Sequence, residues 1–197
     1  MNSPASFHPD LTEDRLNVIA DILISTRNET VDLFDPDAGD TNWDLGCRVY
    51  GRSCTRIIRA GPKYDWLNVS DTTLHLVFNI GQVPIRFYTG SSDDPTARTM
   101  ERSFPELQQL SLAFPKVTEL LTWRFAVEAE ADGKAFRVVF AGFTSAEEIE
   151  CEWIRNAHES TGHTVDRGSH APEDGVELPL PQVAIPHEKA HQTGKTG

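Results

Sequence analysis

Cysteine is scarce in this 197-residue chain, with three in all, an odd number without paired spacing. That fits a reducing compartment better than a disulfide framework. No CxxC pair is present to open a zinc site. Cys47 and Cys54 stand seven apart, roughly 10 Å along a helix axis, too far for one bridge, so they read as core cysteines. Long apolar runs are missing too. The longest, around Val18–Ile24 and Leu74–Ile80, fall well short of the ~20 residues needed to cross a bilayer. No basic stretch followed by an apolar core opens the chain, so no signal peptide is expected and the expected location is cytoplasmic. Positive charge is also in deficit: 18 Lys and Arg stand against 30 Asp and Glu, for a net charge of −12. Such a chain adheres poorly to nucleic acid or anionic lipid unless a local basic patch does the binding. His158–Gly197 lacks Phe, Trp and Tyr altogether.

The remaining composition divides the chain. Residues 1–157 hold the aromatic and β-branched side chains of a single α+β domain. Residues 158–197 carry five of the seven histidines among Pro, Gly, Glu and Thr, and cannot offset their ordering entropy by burial. They read as a flexible or extended tail, in which only Val176–Ile185 has the composition of a docking strand. His187 and His191 have the i,i+4 spacing of a helical metal pair, but Pro186 and the surrounding composition argue against a helix, and no metal or cofactor is expected.

In the domain, Asp10 and Glu13 have capping-box spacing ahead of Leu16, Ile19, Ala20 and Leu23 on one helical face. A second helix is expected from Trp43 to Arg59. At 100° per residue from Arg48, its large side chains Trp43, Cys47, Tyr50, Cys54, Ile57 and Ile58 span roughly 180° to 280°, while Arg48, Arg52, Arg56 and Arg59 span roughly 0° to 80°. The first arc should face the core, and the second should present four guanidinium groups. A hairpin follows: Leu74, Leu76, Phe78 and Ile80 alternate, then Val83, Ile85 and Phe87, joined by Gly81-Gln82. Its other face sets His75 opposite Tyr88, with Arg86 beside them. Pro84 cannot donate to a ladder, which points to an edge or a bulge. Tyr64–Val69 suggests a third strand there. Ser103 and Glu106 form another capping box, and the helix they start ends at Phe114-Pro115. A three-stranded meander then alternates Trp123, Phe125, Val127; Phe136, Val138, Phe140; and Ile149, Cys151, Trp153. Arg124, Glu128, Glu130, Arg137, Glu148, Glu150 and Glu152 point outward as a solvated face. The expected class is α+β: an antiparallel sheet, hairpin plus meander, packed against two or three helices.

For function, the arginine row is the sharpest feature. Arg48, Arg52, Arg56 and Arg59 repel one another unless carboxylates or phosphates lie against them, and guanidinium is shaped for both. The anion can be the chain's own acidic loop, Glu29–Asp40, or a partner. Aromatic residues do not interleave with the arginines, so the stacking element of a single-strand binder is absent. The leading expectation is a non-catalytic interaction or regulatory protein docking a protein partner, or a second copy of itself, through this helix. A nucleic-acid or nucleotide binder using the same row is the alternative. An enzyme centred on His75, Arg86 and Tyr88 ranks last, because neither a nucleophile elbow nor paired carboxylates accompany them. Glu128, Glu130, Asp132 and Lys134 resemble a nuclease strand only faintly, since Asp132-Gly133 is turn chemistry. Gly194-Lys195-Thr196 lacks the upstream glycine of a phosphate loop.

Overall fold

The computed structural model describes residues 3–73, 75–114 and 120–159. Leu74, Val176–Ile185, His187, His191 and Gly194–Thr196 lie outside the described residues, as does nearly all of the segment read as a tail.

The elements, in chain order, are α1 (Glu13–Val31), α2 (Asn42–Ala60), β1 (Leu67–Asp71), β2 (Val77–Ile80), β3 (Val83–Thr89), α3 (Ala97–Met100), α4 (Phe104–Ala113), β4 (Thr122–Ala129), β5 (Ala135–Phe143) and β6 (Ile149–Asn156). The class is α+β, with one six-stranded sheet whose spatial order follows the chain, β1 to β6. Neighbouring strands are antiparallel except β3 and β4, which pair in parallel from Arg86↔Arg124 to Thr89↔Val127. The sheet is therefore mixed, not antiparallel throughout. The segment holding α3 and α4 carries the chain back so that β4 can start beside β3 in the same direction, as parallel strands require.

The hairpin register follows the alternation of its residues, with Ile80↔Val83, Asn79↔Pro84 and Phe78↔Ile85. Pro84 nevertheless lies on the third strand of six, not at an edge. In a two-residue hairpin the pair beyond the closing one is non-hydrogen-bonded, so Pro84 owes no N–H to β2. The parallel ladder with β4 begins only at Arg86, beyond it. Gly81 turns the hairpin at φ 59°, and a Cβ there would stand 2.0 Å from Asp10 Oδ2. Asp10 does not cap α1, whose N-cap is Thr12 without a side-chain cap bond. Its carboxylate instead accepts the Gln82 N–H at 3.1 Å and the Arg15 guanidinium at 2.6 Å, tying the approach to α1 onto the hairpin tip.

Helices α1 and α2 supply one wall of the main core. Leu16, Ile19, Ala20, Leu23 and Ile24 of α1 join Ile57 and Ala60 of α2 against Phe78, Ile80, Ile85, Phe87, Trp123, Phe125, Val138, Phe140 and Cys151 of the sheet. Gly142 lets the Trp123 ring lie flat on the sheet, since a Cβ there would stand 2.8 Å from it. Phe136, expected inward, is half-buried at the β-bulge that ends the β4–β5 ladder, and Ala135 takes the core position.

The opposite face of the sheet departs most from the alternation pattern. Met100 of α3 packs there with Ala126, Val139, Ala141 and Phe143, and Arg124 and Glu128 are buried rather than solvated. Two covered faces follow from the crossover, because the segment that returns the chain for a parallel strand has to lie over the sheet.

Candidate interaction surface

The two constellations read from the sequence come out differently. Helix α2 starts at Thr41, whose hydroxyl accepts the Asp44 N–H while the Asp44 carboxylate accepts the Thr41 N–H, a complete capping box. On the same 100° wheel its buried residues, Leu45, Val49, Ser53, Ile57 and Ala60, occupy roughly 60° to 180°. The helix is thus rolled away from the orientation its large side chains imply. The buried set mixes Val49, Ser53 and Ala60 with the larger Leu45 and Ile57. Burial of this seam leaves Trp43 76% exposed and Ile58 40% exposed, with Cys47 exposed between them. Cys47 is therefore not a core cysteine, and Cys54 is only half-buried.

Of that arc, Ile57 is fully buried in the core and Tyr50 is held by specific contacts. The Tyr50 ring stacks on Phe87 at 5.1 Å and its hydroxyl accepts the Leu76 N–H at 3.2 Å. Burial is the main cause pushing the Tyr50 phenol up to about 12 and the Cys54 thiol above its ordinary range.

Rolling α2 brings its arginines towards α1 and the acidic loop. Arg48 pairs with Asp40 at 2.5 Å, and that contact is the first cause holding the Asp40 carboxyl below its usual range. Arg56 forms a two-pronged pair with Glu29 and reaches the Ser25 hydroxyl at 3.5 Å. Arg52 donates to the Thr30 hydroxyl at 3.3 Å but meets no carboxylate among the described residues. Arg59, at the last turn, is exposed and likewise has no acidic partner among them. The four-guanidinium ridge is therefore half-neutralised from within. What α2 offers outward is a band running from Trp43 through Cys47, Gly51 and Ile58 to Arg59 and Arg52.

The second constellation lies on the other face of the sheet. Arg86 meets His75 Nδ1 at 3.2 Å and donates to the Glu101 carbonyl at 2.8 Å. Tyr88 does not join them. Its hydroxyl donates to the Ser91 carbonyl at 3.0 Å, and burial is the first cause raising its pKa to about 12, so the phenol stays protonated. His75 is exposed, and neither a nucleophile nor a carboxylate side chain touches it among the described residues.

Beside this pair sits a charge cluster that the alternation of β4 conceals. The Arg124 and Glu106 side chains are 1% and 0% exposed and 2.5 Å apart. Arg124 also donates to the carbonyls of Thr99 at 2.9 Å, Trp123 at 2.9 Å and Glu101 at 3.3 Å. Glu106 is fixed by Ser103, whose hydroxyl accepts its N–H at 3.4 Å as α4's cap. Burial pulls the Arg124 pKa down and Glu106 opposes it, so the guanidinium keeps its charge. With every donor direction engaged, the pair is a clamp for the crossover segment and not a binding group. Glu128 is similar: it accepts the Ser92 N–H and hydroxyl at 2.9 and 2.8 Å and the Arg137 guanidinium at 2.7 Å.

An open cleft of about 480 Å³ lies nearby, lined among others by Met100, Glu101, Arg102, Leu107, Thr122 and Glu147. Arg102, the one cation among its described lining residues, is taken by the Thr122 hydroxyl at 2.6 Å and the Leu120 carbonyl at 2.8 Å. Among the described residues no three His, Cys, Asp or Glu side chains converge as a metal site, and no helix is long and apolar enough to cross a membrane. Neither the known protein families, nor the curated proteins, nor the solved structures contain a match to this chain.

Proposed function

We propose that this is a non-catalytic interaction protein that docks a protein partner through the outer face of α2. The observation that carries the reading is Trp43, 76% exposed at the first turn of a capped 19-residue helix, in line with Cys47 and Ile58. A large aromatic side chain left in water forgoes one of the largest burial gains any residue offers, and such side chains dominate protein–protein interfaces. Arg52 and Arg59 border the apolar strip with charges that no carboxylate of the described residues meets, which fits a partner carrying acidic groups around an apolar contact. The polar clusters on the opposite face are consumed in holding the fold, so they support catalysis less well. Pairing of Arg48 and Arg56 with the chain's own acids also removes half of the charge that a phosphate-binding reading needs.

The test places a photo-crosslinking phenylalanine analogue at position 43 in the full chain, expressed in cells, with a second at the exposed Thr55. A discrete protein adduct from position 43 supports the proposal. Absence of any protein adduct from either position, with folding verified by circular dichroism, overturns it.

A further inference from the structure

The outer face of α2 has a symmetry that a generic docking site does not need. Taking the midpoint between Tyr50 and Gly51 as centre, Trp43 and Ile58 lie at equal distances on either side, and so do Cys47 and Cys54. A two-fold dimer axis brings residue i of one copy against residue j of the other and j against i. Two α2 helices crossing antiparallel at that midpoint would seat each Trp43 on the partner's Ile58 and each Cys47 against the partner's Cys54. Each Tyr50 ring would meet the partner's Gly51. Both ends of the strip are exposed, and Tyr50, already braced by Phe87 and Leu76, is a rigid platform at the middle. A Cβ added at Gly51 would meet nothing within 4 Å, so the space above it is open to a second helix.

Charge sorts the two directions of pairing. The first turn of α2 carries Asp44 (Asp40, just ahead of it, is already paired with Arg48), and its end carries Arg59 and, just beyond, Lys63. Antiparallel crossing lays the acidic end over the partner's basic end and opposes the two helix dipoles favourably. Parallel crossing stacks Arg59 on Arg59 and Asp44 on Asp44.

We infer that the partner docked by this face is a second copy of the chain, joined as an antiparallel two-fold pair of α2 helices centred between Tyr50 and Gly51. The inference rests on the docking reading above and names its occupant. It is tested on the full chain by sedimentation over a roughly hundredfold range of protein concentration, since dimer content follows mass action. A short bis-maleimide reports the register. The expected result is a concentration-dependent dimer that the reagent links covalently. Cys47→Ser and Cys54→Ser should each abolish the link, and sedimentation of each untreated variant, run alongside, should still show a concentration-dependent dimer. Ile58→Asp should raise the dimer dissociation constant roughly thirtyfold or more with unchanged circular dichroism. A covalent dimer that survives Cys54→Ser means Cys47 meets Cys47 and overturns the antiparallel register. A monomer at every concentration overturns self-pairing. Adducts to a different protein from position 43 would then keep the docking reading alive, and their absence would remove both.

Discussion

Removal of the Glu106 carboxylate should be among the most damaging single changes this protein can suffer outside its apolar core. In Glu106→Ala the Arg124 guanidinium keeps its bonds to the carbonyls of Thr99, Trp123 and Glu101 but loses the one carboxylate among the described residues that touches it, in a site where its side chain is 1% exposed. A buried charge stripped of its counter-charge typically costs about 3–5 kcal/mol. For a chain of this size, each kcal/mol lowers the melting midpoint by about 2–4 °C, so a drop of roughly 10 °C is expected. Glu106→Gln keeps one acceptor oxygen and the helix cap at Ser103, and should fall between wild type and alanine. Removing both charges with shape kept, as in Arg124→Met with Glu106→Leu, should recover most of the loss, because neither partner is then stranded. Urea titration followed by tryptophan fluorescence measures all four proteins, with the midpoint read at constant slope. A loss under about 1 kcal/mol for Glu106→Ala, or a double variant no better than the single ones, would refute the assignment of this pair as a buried electrostatic clamp.

Three further outcomes follow from local geometry. Gly81→Ala forces a Cβ to within 2.0 Å of the Asp10 carboxylate at a positive φ, and should destabilise by about 1–3 kcal/mol in the same titration. Adding Asp10→Gly should restore part of that loss but not the backbone strain. Gly46→Ala lies in mid-helix with nothing within 4 Å of the new methyl, and should stabilise by up to about 1 kcal/mol, seen as a raised thermal midpoint. Arg137 and Ser92 hold the Glu128 carboxyl below its ordinary value of 4.5, against burial as the largest opposing cause. A depressed acid favours the folded state above that ordinary value, and the benefit fades as pH falls towards the native one. Glu128→Gln should therefore flatten the acid limb of stability against pH while lowering stability near neutrality, and an unchanged acid limb would contradict it.

Much of this architecture is legible from local chemistry. The hairpin register is set by alternation and a two-residue glycine turn, and Ser103 with Glu106 marks the start of α4, because both signals act over a few residues. What misleads is the weight given to side-chain size on α2. Trp43, Cys47 and Ile58 look like a core face, yet the face turned inward is Leu45, Val49, Ser53, Ile57 and Ala60, three of them modest in size. The acids of α1 and the loop were the available signal: Asp40 and Glu29 pull Arg48 and Arg56 inward. Arg124 escapes an alternation rule because that rule assumes one wet face. The helical segment between β3 and β4 is the clue that the step is a parallel crossover and that an inward arginine needs a buried acid beside it. No local rule connects the Ser103 cap to that acid, so Glu106 reads as a helix start and not as a counter-ion.

The single parallel step divides the sheet into two blocks, each a meander whose strands neighbour one another along the chain, joined where Arg86 pairs with Arg124. Contacts close in sequence form cheaply and early, whereas the joint must wait for a long stretch of chain to be ordered. Topology alone therefore favours a two-piece assembly, in which each meander collapses on its own schedule and closure of the Arg124 clamp is the expected late event that locks them into one cooperative unit.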